Sequence, residues 1–130
     1  MDSENIFPVK SNVVLDKSYA FSKRIVLLYK LLLENRQPLA LANQLLRSGT
    51  SVGANVEEAT GGFSRRDFTA KCSIAYKEAR ESHYWLRLLR DTNCLEPRLA
   101  ESLIKDAEEL KRILAAIIIS SRKSEQNSEK

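Results

Sequence analysis

Phe68, Cys72, Ala75, Ala79, Ser82, Leu86 and Leu89 recur at steps of three and four residues. Such steps gather side chains on one face of an α-helix and would scatter them over both faces of a strand. The stretch is therefore helical for about six turns. A stripe that long needs partners along its whole length, and the chain offers three more. Phe21, Ile25, Leu28 and Leu32 form one; Leu41, Leu45, Ser48, Val52, Val56 and Ala59 a second; Leu99, Leu103, Ala107, Leu110, Leu114 and Ile117 a third. Runs that alternate apolar and polar residues, the mark of half-buried strands, are missing.

Capping residues and prolines set the expected boundaries. Asp16 can accept bonds from the first-turn amides of a helix over residues 16–35, after an irregular lead-in that contains Pro8. Pro38 suits the turn before a second helix over 39–60, and Gly61-Gly62 suggests a left-handed cap at its end. Ser64 with Asp67 three residues later opens a third helix over 65–93 in the manner of a capping box. Pro97 fits the first turn of a fourth over 97–121, leaving a short charged tail expected to fray. Connections this short allow only antiparallel neighbours. The expected fold is one all-α domain over 1–130, an up-and-down antiparallel four-helix bundle.

The first helix is more apolar than one core requires. Val26, Leu27, Tyr29, Leu31 and Leu33 extend its apolar surface around the cylinder, and Lys23, Lys30 and Glu34 mark a narrow polar strip. A second contact is predicted, supplied by another subunit. Ile74, Trp85 and Leu88 on a flank of the third helix are interface candidates for such a homo-oligomer.

Candidate chemistry is sparse. Gly49 and Gly53 sit in the block Gln44 to Ala59, without the strand, turn and Gly-Lys-Ser/Thr ending of a phosphate loop. They read as small residues that let helices approach closely. Ser51, Asn55 and Glu58 on one edge, with Glu78 and Glu81 on the next helix, form a register-fixing hydrogen-bond network, ordinary solvated charge or a pocket of paired carboxylates. His83 is the single histidine, and Cys72 and Cys94 lack metal-ligand spacing. No catalytic residue, metal or cofactor is expected, and the thiols read as reduced in a cytoplasmic protein. No apolar run is long enough to span a membrane, and the N-terminus lacks the pattern of a secretory signal.

Twenty-one basic against 17 acidic residues leave a net charge of +4, which permits contact with an acidic partner. Arg66, Lys77, Arg80 and Arg87 share one face of the third helix; a phosphate-tracking stripe and a solvated helix surface both have this composition. Tyr84 and Trp85 nearby could stack on bases or cover a helix junction or an interface.

Several segments also resemble a known family. Lys17-Ser18-Tyr19-Ala20-Phe21 leading into Arg24-Ile25-Val26, the block Gln44 to Ala59, Ala75-Tyr76-Lys77-Glu78-Ala79 and Tyr84-Trp85-Leu86-Arg87-Leu88-Leu89 are similar to the four-helix-bundle proteins of 23S rRNA intervening sequences. The likeness runs from about Asn5 to Lys123, and Leu-Leu-Arg-Ser-Gly-Thr-Ser-Val-Gly-Ala-Asn is its most specific part. It implies a ring-like homopentamer. Some members of the family are encoded within insertions in ribosomal RNA genes. A related branch, the accessory variability determinant of diversity-generating retroelements, is a basic pentamer that binds nucleic acid and a reverse transcriptase. The resulting expectation is a non-enzymatic adaptor that binds RNA or DNA, with a protein-binding scaffold as the alternative.

Overall fold

The computed structural model describes residues 9–128. Four helices follow in order: α1 (Val9–Glu34), α2 (Leu39–Thr60), α3 (Arg65–Asp91) and α4 (Pro97–Ser128). Each packs on its neighbours in sequence, and α1 closes the square against α4. Among the described residues there is no strand, and the arrangement is an up-and-down four-helix bundle.

The core is built from the four stripes. Phe21, Ile25, Leu45, Val52, Leu86, Leu89, Leu103, Leu110 and Leu114 are all at most 2% exposed. At about 25 cal/mol per Å² of apolar surface removed from water, side chains of this size contribute about 1.5–3 kcal/mol each. Small residues complete the stripes where backbones come close: Ala75, Ala79, Ala100 and Ala107 are fully buried.

Three boundaries differ from the sequence expectation. Asp16 is not an N-cap, because α1 begins at Val9 and Asp16 lies exposed within it. The cause is Val14, buried in phase with Ser18 and Phe21, which carries the core stripe back past the acidic residue. The first eight residues of the expected lead-in fall outside the described residues. At the other end α4 continues to Ser128 rather than fraying after Ser121, since Ser121 is itself buried and hydrogen-bonded to Thr69 of α3. Arg36 and Asn93, not Gly61 or Gly62, carry the left-handed backbone, with φ of 55° and 62°.

Those two residues end α1 and α3 by the same device. The amide of Gln37 donates to the carbonyl of Leu32 and that of Arg36 to Leu33; Cys94 donates to Leu89 and Asn93 to Arg90. This nested pair of bonds satisfies carbonyls that the helix end would otherwise leave bare, and it needs φ > 0 at the residue between. At the end of α2, Gly61 donates to Glu58 and Gly62 to Ala59, a tightened turn that needs no left-handed residue. Ser64 accepts from the amide of Asp67 and caps α3. Glu96 does the same for α4, its two carboxylate oxygens taking the amides of Arg98 and Leu99.

Candidate nucleic-acid interface

The two glycines of α2 set how closely α1 and α2 approach. A β-carbon on Gly53 would meet Ser22 Oγ at 2.9 Å and the Ser18 carbonyl oxygen at 3.2 Å. Gly49 lies against Ile25 in the same way. The two helices are therefore locked in register on the side of α2 that faces α1.

The opposite edge of α2 is tied to α3 by polar bonds. Arg47 reaches both Glu78 and Glu81, at 3.2 Å to the former. Ser51 donates to Glu78, and Asn55 donates to Ser51 at 3.0 Å. The indole N–H of Trp85 donates to Glu81 at 2.9 Å. That bond, with Arg47 beside it, holds the Glu81 carboxyl below its ordinary range. Beneath them, Ser82 donates to Ser48 in the fully buried layer. Every carboxylate of this cluster is thus engaged in bonds between helices, and Glu58 instead pairs with Lys71. Arg47, which organises the cluster, was hidden in sequence because it sits within the small-residue block.

Trp85 and Leu88 lie half-buried, and Trp85 packs on the bundle's own core, edge-on to Tyr84 at 5.0 Å between ring centroids. Ile74 remains 42% exposed. Exposed large apolar residues are concentrated on α1, where Tyr19, Val26 and Leu33 flank one side of the Lys23 and Lys30 strip and Leu27 and Leu31 the other.

Arg66, Lys77, Arg80 and Arg87 all stand exposed on the outer face of α3. Arg80 lies over the Tyr76 ring and Arg87 over Tyr84, each 6.0 Å from the centroid. Stacking of this kind orders a guanidinium while leaving its N–H donors outward. Lys77 and Arg80 also border a groove between α3 and α4, where Arg122 joins them. Arg122, expected in a frayed tail, instead lies within α4. A signal was present: Ala115, Ile118, Ile119 and Arg122 continue a helical period on one flank of α4.

Two titratable groups of α3 are perturbed by burial, His83 on a flank and Cys72 in the core. His83 sits between Lys111, whose Nζ is 3.4 Å from its Nδ1, and Glu108, 3.8 Å from its Nε2. Burial, followed by the charges of Lys111 and Arg87, holds its pKa below the ordinary value. The Cys72 thiol is pushed up to about 11 by burial, so it stays protonated and unreactive at neutral pH. Among the described residues no group of three or more His, Cys, Asp or Glu is placed to hold a metal ion. None of their helices is long and apolar enough to cross a membrane.

No functionally curated protein matches the chain. Among solved structures, a protein of unknown function from the S23 ribosomal protein family of Bacteroides thetaiotaomicron VPI-5482 is 47% identical, with a TM-score of 0.81. The likeness covers 85% of this chain and 98% of that one. The family model described as 23S rRNA-intervening sequence protein matches residues 10–116, which takes in α1 through α3 and most of α4. A match over nearly the whole bundle places the chain in a family: it belongs to the 23S rRNA-intervening sequence proteins.

Proposed function

We propose that this chain is a non-enzymatic, homo-oligomeric adaptor that holds nucleic acid on the outer face of α3. The supporting observation is how its cations are used. Lys17, Arg24, Arg47, Lys71 and Arg90 are each bonded to a carboxylate. Arg66, Lys77, Arg80 and Arg87 are bonded to none among the described residues, and all four point outward from one helix. Such a line neutralises phosphates without reading sequence, and several copies in an oligomer multiply a weak patch by avidity.

The test is fluorescence anisotropy with labelled RNA and DNA at low and physiological salt. Binding is expected to weaken steeply with salt, by about 0.9 log unit in affinity per tenfold rise for each duplex phosphate contacted. Arg80→Glu with Arg87→Glu should abolish it and leave helicity intact, while Glu57→Ala on exposed α2 surface changes nothing. Wild-type protein that binds no nucleic acid at low salt removes this reading. The second reading, a protein-binding scaffold, then takes its place, favoured by the uncovered apolar face of α1.

A further inference from the structure

The basic face contains a feature that phosphate binding alone does not use. Tyr76, Ile118 and Ile119 floor the α3–α4 groove, which has a volume of 320 Å³, and Lys77, Arg80 and Arg122 stand on its rim. Ile119 is 57% exposed at this floor. Water gains nothing from that surface, so an occupant must bring apolar faces as well as negative charge.

A duplex brings only the charge, because its base faces are stacked inside. A single strand brings both, since an unpaired base has a free π-face beside its phosphate. An acidic amphipathic peptide also combines the two, but the cations extend well beyond the groove. From Arg66 to Arg87 they run over twenty-one residues of α3, about 30 Å at the helical rise. A line of charge longer than the apolar floor suits a continuous polyanion better than a short helix. The guanidinium of Arg80 over the Tyr76 ring adds a second flat surface for a base.

We infer that the α3–α4 groove takes unpaired nucleotides, with their phosphates on Lys77, Arg80 and Arg122 and base faces on Tyr76 and Ile119. This rests on the adaptor reading above and narrows it to single-stranded nucleic acid or the unpaired loops of a folded RNA.

The experiment compares a short labelled RNA strand with the duplex of the same sequence, by anisotropy at matched low salt. Wild-type protein should bind the strand about tenfold more tightly, as expected when one stacked base is gained. Ile119→Ser combined with Tyr76→Ala should bring the two affinities to parity, the strand losing far more than the duplex, which loses only the ordering of Arg80 by the Tyr76 ring. Ile119→Ser alone, at an exposed position, should lose part of the preference and serves as the variant that folds in any case. Lys77→Glu with Arg122→Glu should weaken both ligands. Equal binding of strand and duplex by wild type overturns the groove assignment and leaves the adaptor reading standing. A preference that survives Ile119→Ser with Tyr76→Ala does the same. No binding of either, with capture of an acidic amphipathic peptide instead, overturns both.

Discussion

Gly49 of α2 and Ile25 of α1 meet with no room between them: a β-carbon on the glycine would lie 2.7 Å from Ile25 Cγ1 and 2.8 Å from Cγ2. Both carbons are fixed directly to the branch point of a fully buried residue, so neither can swing aside. Alanine at this position gains up to about 1 kcal/mol in helix propensity and loses about 1–3 kcal/mol to overpacking. Gly49→Ala is expected to lower stability in urea denaturation. At Gly53 the nearest atom is the rotatable Ser22 hydroxyl, with the rigid Ser18 carbonyl next, so alanine is the milder change there. Gly53→Leu should still cost about 1–3 kcal/mol, and melting at or above the wild-type temperature would refute the packing account.

Arg36 carries a φ of 55° that its β-carbon resists. Replacing it by glycine should raise stability by about 0.5–1 kcal/mol, provided the two nested bonds at the end of α1 persist. Asn93 holds the same conformation at the end of α3, but asparagine tolerates it better. Asn93→Gly should therefore gain less. Paired chemical denaturation curves check both, and an equal or reversed order would contradict this assignment of strain.

His83 gives the bundle an acid-side sensitivity. Its pKa is held below 6.5 in the folded state, by burial first and the neighbouring cations next, so the unfolded chain takes up a proton more readily. Stability is then unaffected above about pH 6.5, the ordinary histidine value, and falls as pH drops from there through the lower folded-state pKa. His83→Gln should flatten that part of the stability–pH curve. Identical slopes for the two proteins between neutral pH and the onset of carboxylate titration would rule histidine out as the cause.

Self-association is the outcome expected of the apolar residues exposed on the outer face of α1. Leu27 is 64% and Tyr19 62% exposed, with Leu31 and Leu33 close by. Light scattering at micromolar concentration should report an oligomer. Leu27→Glu with Leu31→Glu should reduce its size while circular dichroism stays helical, because neither residue belongs to the bundle core. A stable wild-type monomer would contradict the prediction.

Much of this molecule is readable from spacing. The α3 stripe from Phe68 to Leu89 is buried at every position expected, since a helix packed along its full length has no freedom in which side it buries. Helix ends were less legible, because they depend on single backbone bonds rather than on a repeated pattern. Glycine pairs suggest left-handed caps, yet Gly61 and Gly62 close α2 by tightening while an arginine accepts the strained conformation elsewhere. The basic face was visible as a period on one helix. Its groove was not, because Arg122 reaches it from another helix, across a distance in sequence that no periodicity spans.

Closure of the square also orders how the bundle comes apart. Each of the other contacts joins helices linked by a short turn, but α1 and α4 meet only when the two ends of the chain come together. Their polar bonds, Arg24 to Asp106 at 2.6 Å and Lys17 to Glu109 at 3.3 Å, span 82 and 92 residues and lie where water reaches them. They pack less extensively than any adjacent pair. Loop-closure entropy weighs most on such a contact, and screened surface pairs return little against it. In native-state hydrogen exchange, amides of α1 and the facing part of α4 should open ahead of the α2–α3 hairpin, which would make the seam between the first and last helices the hinge of this bundle.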